Sequence, residues 1–269
     1  MKTPGIKRKL LFLVAGLSLC GLAQASAGRD SSPHFGEEGW DLSLGLGVTT
    51  HGAFYLGEES SEQDIALLGG ATFIRGRFYF TAGEGEGLLL GYTLVRENDS
   101  AIDIVTGPKF AATFDDNTQL RGQIEDRNLD WHAGTRYTWY GDYNQASFSV
   151  TKDISGAHHG FTANADYQHE WQLKNWLLTG RSSLSYVSDK MANHIAGVSS
   201  NESNANIPAY RSGSSNIVML ELKLEYPITE HWIFESNVSV TKFDGGIKQS
   251  PIIKNGSRSD ATVGVRYQF

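Results

Sequence analysis

The sequence is poor in cysteine, in proline and in long apolar runs, and each shortage narrows the class of protein. Its 269 residues include one cysteine, Cys20, and six prolines. A single cysteine excludes an intramolecular disulfide and a site built from several thiolates. The one long apolar run, residues 10–23, is shorter than the roughly 20 residues that a membrane-spanning helix needs. We therefore do not expect a helical membrane protein.

Positive charge is also scarce, because 23 Lys and Arg stand against 30 Asp and Glu, a formal net charge of -7. A nucleic-acid-binding protein presents a basic face, so we expect no nucleic-acid partner. The chain is rich in glycine, with 30 residues, and has 13 Phe, 11 Tyr and 6 Trp. Disordered chains are poor in aromatic residues. The composition therefore indicates a folded protein with many short strands.

The first 27 residues are typical of a secretory signal peptide. Four basic residues between positions 2 and 9 precede the apolar run, and small residues at 23, 25 and 27 follow it. This order of a basic segment, an apolar segment and small residues predicts cleavage after Ala25 or Ala27. We therefore expect residues 28–269 to form one exported domain, which contains no cysteine.

From residue 40 onward, apolar residues alternate with polar ones. The last segment is an example, because Ala261, Val263, Val265, Tyr267 and Phe269 are separated by single polar residues or glycine. Successive side chains of a β-strand point to opposite faces, so each segment has one apolar and one polar face. The pattern predicts twelve strands, with ten as the alternative because 77–114 is irregular. They lie at 39–51, 64–74, 77–83, 86–95, 101–114, 128–140, 145–154, 160–172, 176–188, 214–227, 231–243 and 258–269.

The connections between these strands alternate in length. Short links at 75–77, 96–100, 140–144, 173–175 and 227–231 alternate with longer ones at 52–63, 115–127, 189–213 and 244–257. Short turns at one end and long loops at the other are typical of outer-membrane β-barrels, and an even strand number leaves both termini in the periplasm. A soluble β-sandwich also alternates, but here the apolar faces carry aromatic residues near strand ends, as at a lipid interface. The sequence therefore predicts an all-β, antiparallel transmembrane barrel embedded in outer-membrane lipid.

Charged residues on the polar faces are predicted to point into the barrel. The acids are Asp41, Asp130, Asp166, Glu170, Glu221, Glu225, Glu235 and Asp260, and the bases are Arg136, Arg181, Lys223 and Arg266. Two interpretations stay open. The charges could pair with one another and stiffen the wall, or their acidic excess could line a narrow pore that prefers cations.

A cluster of reactive residue types lies at 153–160. Asp153, Ser155 and His158 are the residue types of a serine hydrolase triad. Residues this close on one turn rarely point in the directions that a triad needs, and Gly156 and Gly160 suit a polar hairpin loop. We therefore predict no catalytic residue, no metal site and no cofactor, and a protein that is not an enzyme.

Six short motifs, spread over most of the predicted domain, resemble those of the MipA/OmpV family of outer-membrane proteins. They are Tyr55-Leu-Gly57, Leu120-Arg-Gly122, Asp153-Ile-Ser-Gly-Ala-His-His-Gly160, Pro208-Ala-Tyr210, Ser250-Pro251-Ile-Ile253 and Gly264-Val-Arg-Tyr-Gln-Phe269. The terminal aromatics Tyr267 and Phe269 also resemble the signal that the outer-membrane assembly machinery reads.

The resemblance implies a barrel with no known reaction. For the namesake branch, an MltA-interacting protein, it implies a scaffold between a murein lytic transglycosylase and a bifunctional penicillin-binding protein. Other members resemble porins, adhesins or osmotically regulated barrels. The expected function is therefore a non-enzymatic scaffold, and the alternative is a narrow, cation-preferring channel for small solutes.

Overall fold

The computed structural model describes residues 38–59, 62–83, 87–115 and 117–269. The predicted signal peptide, residues 1–27, lies outside them. The described chain forms twelve strands and one short helix, α1 (Asp189–Ala196). The strands are β1 (Gly39–His51), β2 (Glu62–Arg75), β3 (Phe78–Gly83), β4 (Gly87–Arg96), β5 (Ser100–Pro108), β6 (Trp131–Tyr140), β7 (Asn144–Asp153), β8 (Phe161–Leu173), β9 (Trp176–Val187), β10 (Ser215–Pro227), β11 (Trp232–Phe243) and β12 (Ser257–Gln268).

The strands close into one antiparallel barrel. Each strand pairs with its neighbours in sequence, and β1 pairs with β12 to complete the ring. At the closing ladder Leu46 lies opposite Val265 and Gly47 lies opposite Gly264. Closure pairs the two edges that an open sheet would leave exposed. The predicted twelve-stranded barrel is confirmed, and the ten-stranded alternative is wrong.

The barrel is apolar outside and polar inside, which is the reverse of a water-soluble fold. On β10, Leu222 is 50% exposed, whereas the next residue, Lys223, is 7% exposed. Aromatic pairs such as Trp40 with Phe73 and Trp176 with Tyr226 lie on the outer surface near the short-turn end. This arrangement suits a lipid-facing surface with an aromatic girdle at one interface.

The loops separate by length between the two ends. The links 76–77, 97–99, 141–143, 174–175 and 228–231 lie at one end, together with residues 38 and 269. The connections that start at 52, 109, 188 and 244 are long and lie at the other end, together with the shorter 154–160. Because short turns of such barrels are periplasmic, we call the two ends the periplasmic end and the outer end.

Two predicted strand boundaries are wrong at the outer end. Strand β5 ends at Pro108, not at 114, and β6 begins at Trp131, not at 128. Proline has no backbone N–H to donate to a ladder. The next two N–H groups, of Lys109 and Phe110, donate to the Asp130 carboxylate at 3.0 and 2.8 Å. Side-chain capping thus replaces the expected strand pairing.

Helix α1 was not predicted from the sequence. Ser188 is its N-cap, and the Oγ atom accepts a hydrogen bond from the backbone N–H of Met191 at 3.5 Å. Asp189 in the first turn complements the helix dipole. The helix has eight residues, so its stability comes from packing more than from propensity. No helix within the described ranges is long and apolar enough to cross a membrane.

Candidate functional site: the loop cap and the barrel interior

Four long connections fold together over the outer mouth of the barrel. We call them the loop cap: residues 52–59, 109–115 with 117–130, 188–214 and 244–256. Apolar side chains from all four pack into one buried cluster with the inward-facing strand ends Val187, Ile217 and Phe243. Representative members of the cap are Phe54, Phe114, Met191, Ile195, Ile247 and Ile252. The four loops start at separate points around the rim. They can share one core only if they fold over the mouth of the barrel.

Hydrogen bonds join the first and last loops of the cap. The backbone N–H of Leu56 donates to the carbonyl of Ile252, and that of Lys254 donates to the carbonyl of Phe54, both at 2.8 Å. These two bonds form an antiparallel bridge between Tyr55 and Ile253. Tyr55 and Ile253, which this bridge joins, belong to two of the motifs identified in the sequence. These two motifs therefore hold the first and last loops together.

The same two loops also bind the C-terminal end of α1. The Tyr55 hydroxyl donates to the carbonyl of Ile195 at 3.0 Å, and the Ser250 hydroxyl donates to that of Ala196 at 2.6 Å. Helix ends leave carbonyls without partners inside the helix, and these hydroxyls satisfy two of them. Burial raises the pKa of Tyr55 far above its usual range, against the opposing charge of Arg127, so the phenol stays a neutral donor. Pro251, partly buried, follows Ser250 in this loop.

An ion pair joins the second and third loops. Arg127 donates to Glu202 at 3.0 Å and to the carbonyl of Gly197 at 2.8 Å. The Glu202 carboxylate also accepts the N–H groups of Ser199 at 2.7 Å and Glu125 at 2.9 Å. Burial would raise the pKa of Glu202, but these hydrogen bonds and the charge of Arg127 outweigh it and hold that pKa below its usual range.

Four of the predicted interior charges meet near the periplasmic end, and we call them the interior charge quartet: Lys223, Glu225, Glu235 and Arg266. Glu225 and Glu235 lie directly opposite one another across β10 and β11, where like charges repel. Arg266 donates to both carboxylates, at 2.6 and 2.8 Å. Lys223 lies 3.4 and 3.6 Å from the same two carboxylates. The quartet is buried and its two acids balance its two bases.

The network extends from Arg266 to the rim. Arg266 also donates to the Gln268 side-chain oxygen at 2.9 Å, and the Gln268 amide donates to Asp41. Tyr267 and Phe269, the predicted assembly signal, lie beside this network on the outer surface. The Tyr267 ring contacts Trp232 and Phe269, with centroids 5.3 and 5.0 Å away.

Further predicted charges pair along the wall. Asp166 lies 3.9 Å from Arg181, and Glu221 lies opposite Arg181 across the ladder of β9 and β10. Asp260, near the outer rim, is 2.9 Å from His51 and 2.7 Å from Arg258.

Two other predicted residues have neighbours that the sequence reasoning overlooked. The Glu170 carboxylate accepts from Gln168 at 3.0 Å. Arg136 donates to the Tyr79 hydroxyl at 2.7 Å and lies 3.8 Å from the buried Asp103. The signal for Asp103 was present, because it lies between the outward-facing Ile102 and Ile104, where alternation points a side chain into the barrel. Asp103 is a further interior acid, whereas Gln168 and Tyr79 are not bases, so the acidic excess of the predicted interior set remains.

Asp153 organises the 154–160 loop rather than a catalytic triad. Its Oδ1 atom accepts the N–H and the hydroxyl of Ser155 at 2.8 and 2.6 Å, and its Oδ2 atom accepts the N–H groups of His158 and His159 at 2.8 and 2.7 Å. The His158 ring instead contacts Asp130 at 2.9 Å. In a triad the imidazole lies between serine and aspartate, and here it does not.

The glycines of this loop have separate roles. Gly156 has a positive φ of 82°, a conformation that glycine adopts without strain. At Gly160 a Cβ atom would lie 2.7 Å from each of three atoms, one of which is the Ser188 hydroxyl oxygen. A larger residue at 160 would therefore separate this loop from the start of α1.

Asp130 was predicted to lie on a strand facing the lumen, but it lies in the loop before β6, at the outer mouth. Its carboxylate meets two imidazole rings, those of His132 and His158. Burial would raise the pKa of Asp130, but hydrogen bonds from both histidines and from the Phe110 N–H hold that pKa well below its usual range. The carboxylate is therefore ionised.

Comparison with known proteins gives a family match over most of the chain. The model of the family described as "MltA-interacting protein MipA" matches residues 44–269. YiaT of Escherichia coli (strain K12), which is named as an outer membrane protein, is 20% identical over 233 residues, 85% of this chain and 91% of that protein. The corresponding protein of E. coli O157:H7 is 19% identical over 232 residues, with the same coverage of both chains.

Solved structures give weaker similarities. The NanC porin has a TM-score of 0.45 at 9% identity, covering 85% of this chain and 100% of that one. The KdgM porin has a TM-score of 0.39 at 12% identity, covering 85% and 99%. At such scores the likeness carries no argument, and the fold rests on the strand pairing of this chain. From the family match and the closed barrel, this chain is an outer-membrane β-barrel that belongs to the MipA family.

Proposed function

We propose that the protein is a non-enzymatic scaffold that binds a murein lytic transglycosylase at its periplasmic end. The observation that carries the proposal is the loop cap, because a mouth filled by a shared apolar core does not suit a constitutive solute pore. The interior charge quartet supports it as well, since its two acids are matched by two bases, so the quartet adds no net charge that would attract cations. The partner class comes from the description of the matched family.

The periplasmic turns offer exposed apolar side chains for such a contact. Tyr143, in the 141–143 turn, is 62% exposed, and Ile228, in the 228–231 turn, is 53% exposed. Aromatic residues are enriched where protein interfaces are strongest. We propose these two turns as the contact surface, with a penicillin-binding protein as a second partner of the assembled complex.

A binding measurement with purified components tests this function. The barrel is placed in lipid nanodiscs, and the soluble part of a murein lytic transglycosylase is titrated onto it by biolayer interferometry. We expect saturable binding that the double variant Tyr143→Ser/Ile228→Ser weakens at least several-fold. Ile154→Ser is the matched control, because Ile154 is 62% exposed but lies at the outer end.

The possible outcomes separate the proposal from its alternatives. Binding that survives the double variant would reject the two turns as the contact surface. If the wild-type barrel does not bind the transglycosylase, the proposed partner is wrong. A second titration with a penicillin-binding protein, on barrels already saturated with the first enzyme, tests whether both bind at once.

A further inference from the structure

We propose that Asp130, His132 and His158 form a binding site for a divalent transition-metal ion, with Zn²⁺ as the preferred occupant. The His158 Nε2 atom lies 2.9 Å and the His132 Nε2 atom 3.5 Å from Asp130 Oδ2. The two Nε2 atoms are 3.3 Å apart. Three potential ligand atoms from three side chains thus form one compact triangle.

The triangle has the size that zinc requires. Zinc binds imidazole nitrogen and carboxylate oxygen at about 2.0–2.2 Å, and in a tetrahedral site the ligand atoms are then roughly 3.3 Å apart. An ion at about 2.05 Å from all three atoms would lie about 0.8 Å out of their plane, which leaves the fourth position for water. Two imidazoles with one carboxylate and an open position is a ligand set that zinc uses in proteins.

The surroundings of the triangle hold the three groups in place. The second oxygen of Asp130 accepts the N–H groups of Lys109 and Phe110. The His132 Nδ1 atom lies 3.3 Å from the Thr151 hydroxyl, which lies 2.9 Å from the Thr162 hydroxyl. Such outer hydrogen bonds fix the orientation of metal ligands and the position of the ring proton.

One hydrogen bond must be given up when the ion binds. The His158 Nδ1 atom accepts the Gly160 N–H at 2.8 Å, so a neutral ring now carries its proton on Nε2. Coordination through Nε2 moves that proton to Nδ1 and displaces the Gly160 N–H. The net contribution of one hydrogen bond is small beside that of a structural zinc ion. The peptide that must adjust lies in a loop that contains Gly156 and Gly160.

The ion would join separate parts of the outer end. Asp130 ends the second loop of the cap, His132 is on the wall of β6, and His158 is in the 154–160 loop. All three side chains are almost fully buried, at 0, 1 and 3% exposure. His132 also lines a cavity together with Arg136 and Asp166, so one of the three ligands borders open space. Zinc would therefore tie the 154–160 loop to the loop cap.

Isothermal titration of the chelator-treated, detergent-solubilised barrel with ZnCl₂ tests the proposal. We expect one Zn²⁺ per chain, no comparable binding of Mg²⁺, which prefers oxygen ligands, and a raised Tm on addition of zinc. His132→Gln and His158→Gln should each weaken the affinity more than about tenfold. His231→Gln is the matched control, since His231 lies in a turn at the periplasmic end.

Zinc K-edge absorption on the wild-type protein gives a second measurement that does not depend on folding of the variants. Two imidazole ligands and only nitrogen or oxygen neighbours at about 2.0–2.2 Å are expected. No stoichiometric uptake of zinc would overturn the proposal. A loss in His231→Gln equal to that in His158→Gln, or a spectrum with fewer than two imidazoles, would overturn it too.

Discussion

Arg266→Met should lower the free energy of unfolding of the barrel more than Arg258→Met, which removes another arginine of the same strand, β12. Arg266 donates to Glu225 at 2.6 Å and to Glu235 at 2.8 Å, and these two carboxylates lie opposite one another. Without Arg266 the pair depends on Lys223, whose Nζ atom is 3.4 and 3.6 Å away. Removal of one partner from a buried ion pair costs about 3–5 kcal/mol, because an uncompensated charge stays buried.

The assay is urea unfolding of the refolded barrel in detergent micelles. With a urea dependence of about 1–3 kcal/mol per M, a loss of about 3–5 kcal/mol should lower the midpoint by roughly 1–5 M. Arg258→Met is the matched control on β12, because Arg258 binds one partly exposed acid, Asp260. Its loss should be at most about 1 kcal/mol.

A rescue variant separates charge from packing. In Arg266→Met with Glu235→Gln, the quartet keeps Glu225 and Lys223, whose charges balance at 3.4 Å, so more than half of the lost stability should return. An equal cost for Arg266→Met and Arg258→Met would refute the reasoning. It would mean that the quartet is screened by water rather than enclosed by the barrel wall.

Three further expectations follow from the same structure. Leu222→Arg, near the middle of β10 on the lipid face, should cost about 2–4 kcal/mol in urea unfolding, whereas Val218→Arg, which lies opposite the exposed Lys242, should cost at most about 1 kcal/mol. The pKa of Glu202 is lowered in the folded cap, so ionised Glu202 stabilises the cap above pH 4.5, its ordinary pKa, and this stabilisation is lost as the pH falls below that value. Protease cleavage within the cap should therefore increase on acidification of the wild type. In Glu202→Gln the cleavage should change less with pH. Asp153→Ala removes the acceptor of the N–H groups that shape the 154–160 loop, so hydrogen exchange there should speed up, while Ser155→Ala, which keeps that carboxylate, should change it little.

The barrel wall was predictable from the sequence because its alternation is local. Segments such as 258–269 show one apolar and one polar face, and the structure places the corresponding strand, β12, within one residue of both predicted ends. The errors lie where side chains replace ladder partners. The Asp130 carboxylate takes the N–H groups after Pro108, and the sequence does not show that a residue twenty positions away will do so.

The loop cap and the charge pairs needed the register of the strands. The inward direction of Glu225 and Glu235 follows from their alternation, but their position opposite one another depends on the turn at 228–231. From the sequence, the long loops are predicted only as connections between strands, and their apolar residues are not recognised as a shared core. Met191 and Ile195 lie four positions apart on α1 and are both buried. That helical spacing inside a loop was the overlooked signal.

The most direct test of a capped scaffold, as opposed to an open channel, is single-channel conductance in planar lipid bilayers. The wild-type barrel should show no stable open state at low voltage, because the buried core of the loop cap covers its outer mouth. A variant that replaces residues 244–256 with a short Gly/Ser turn removes Ile247 and Ile252 from that core and should conduct. Stable, cation-selective conductance of the wild-type protein would contradict the account.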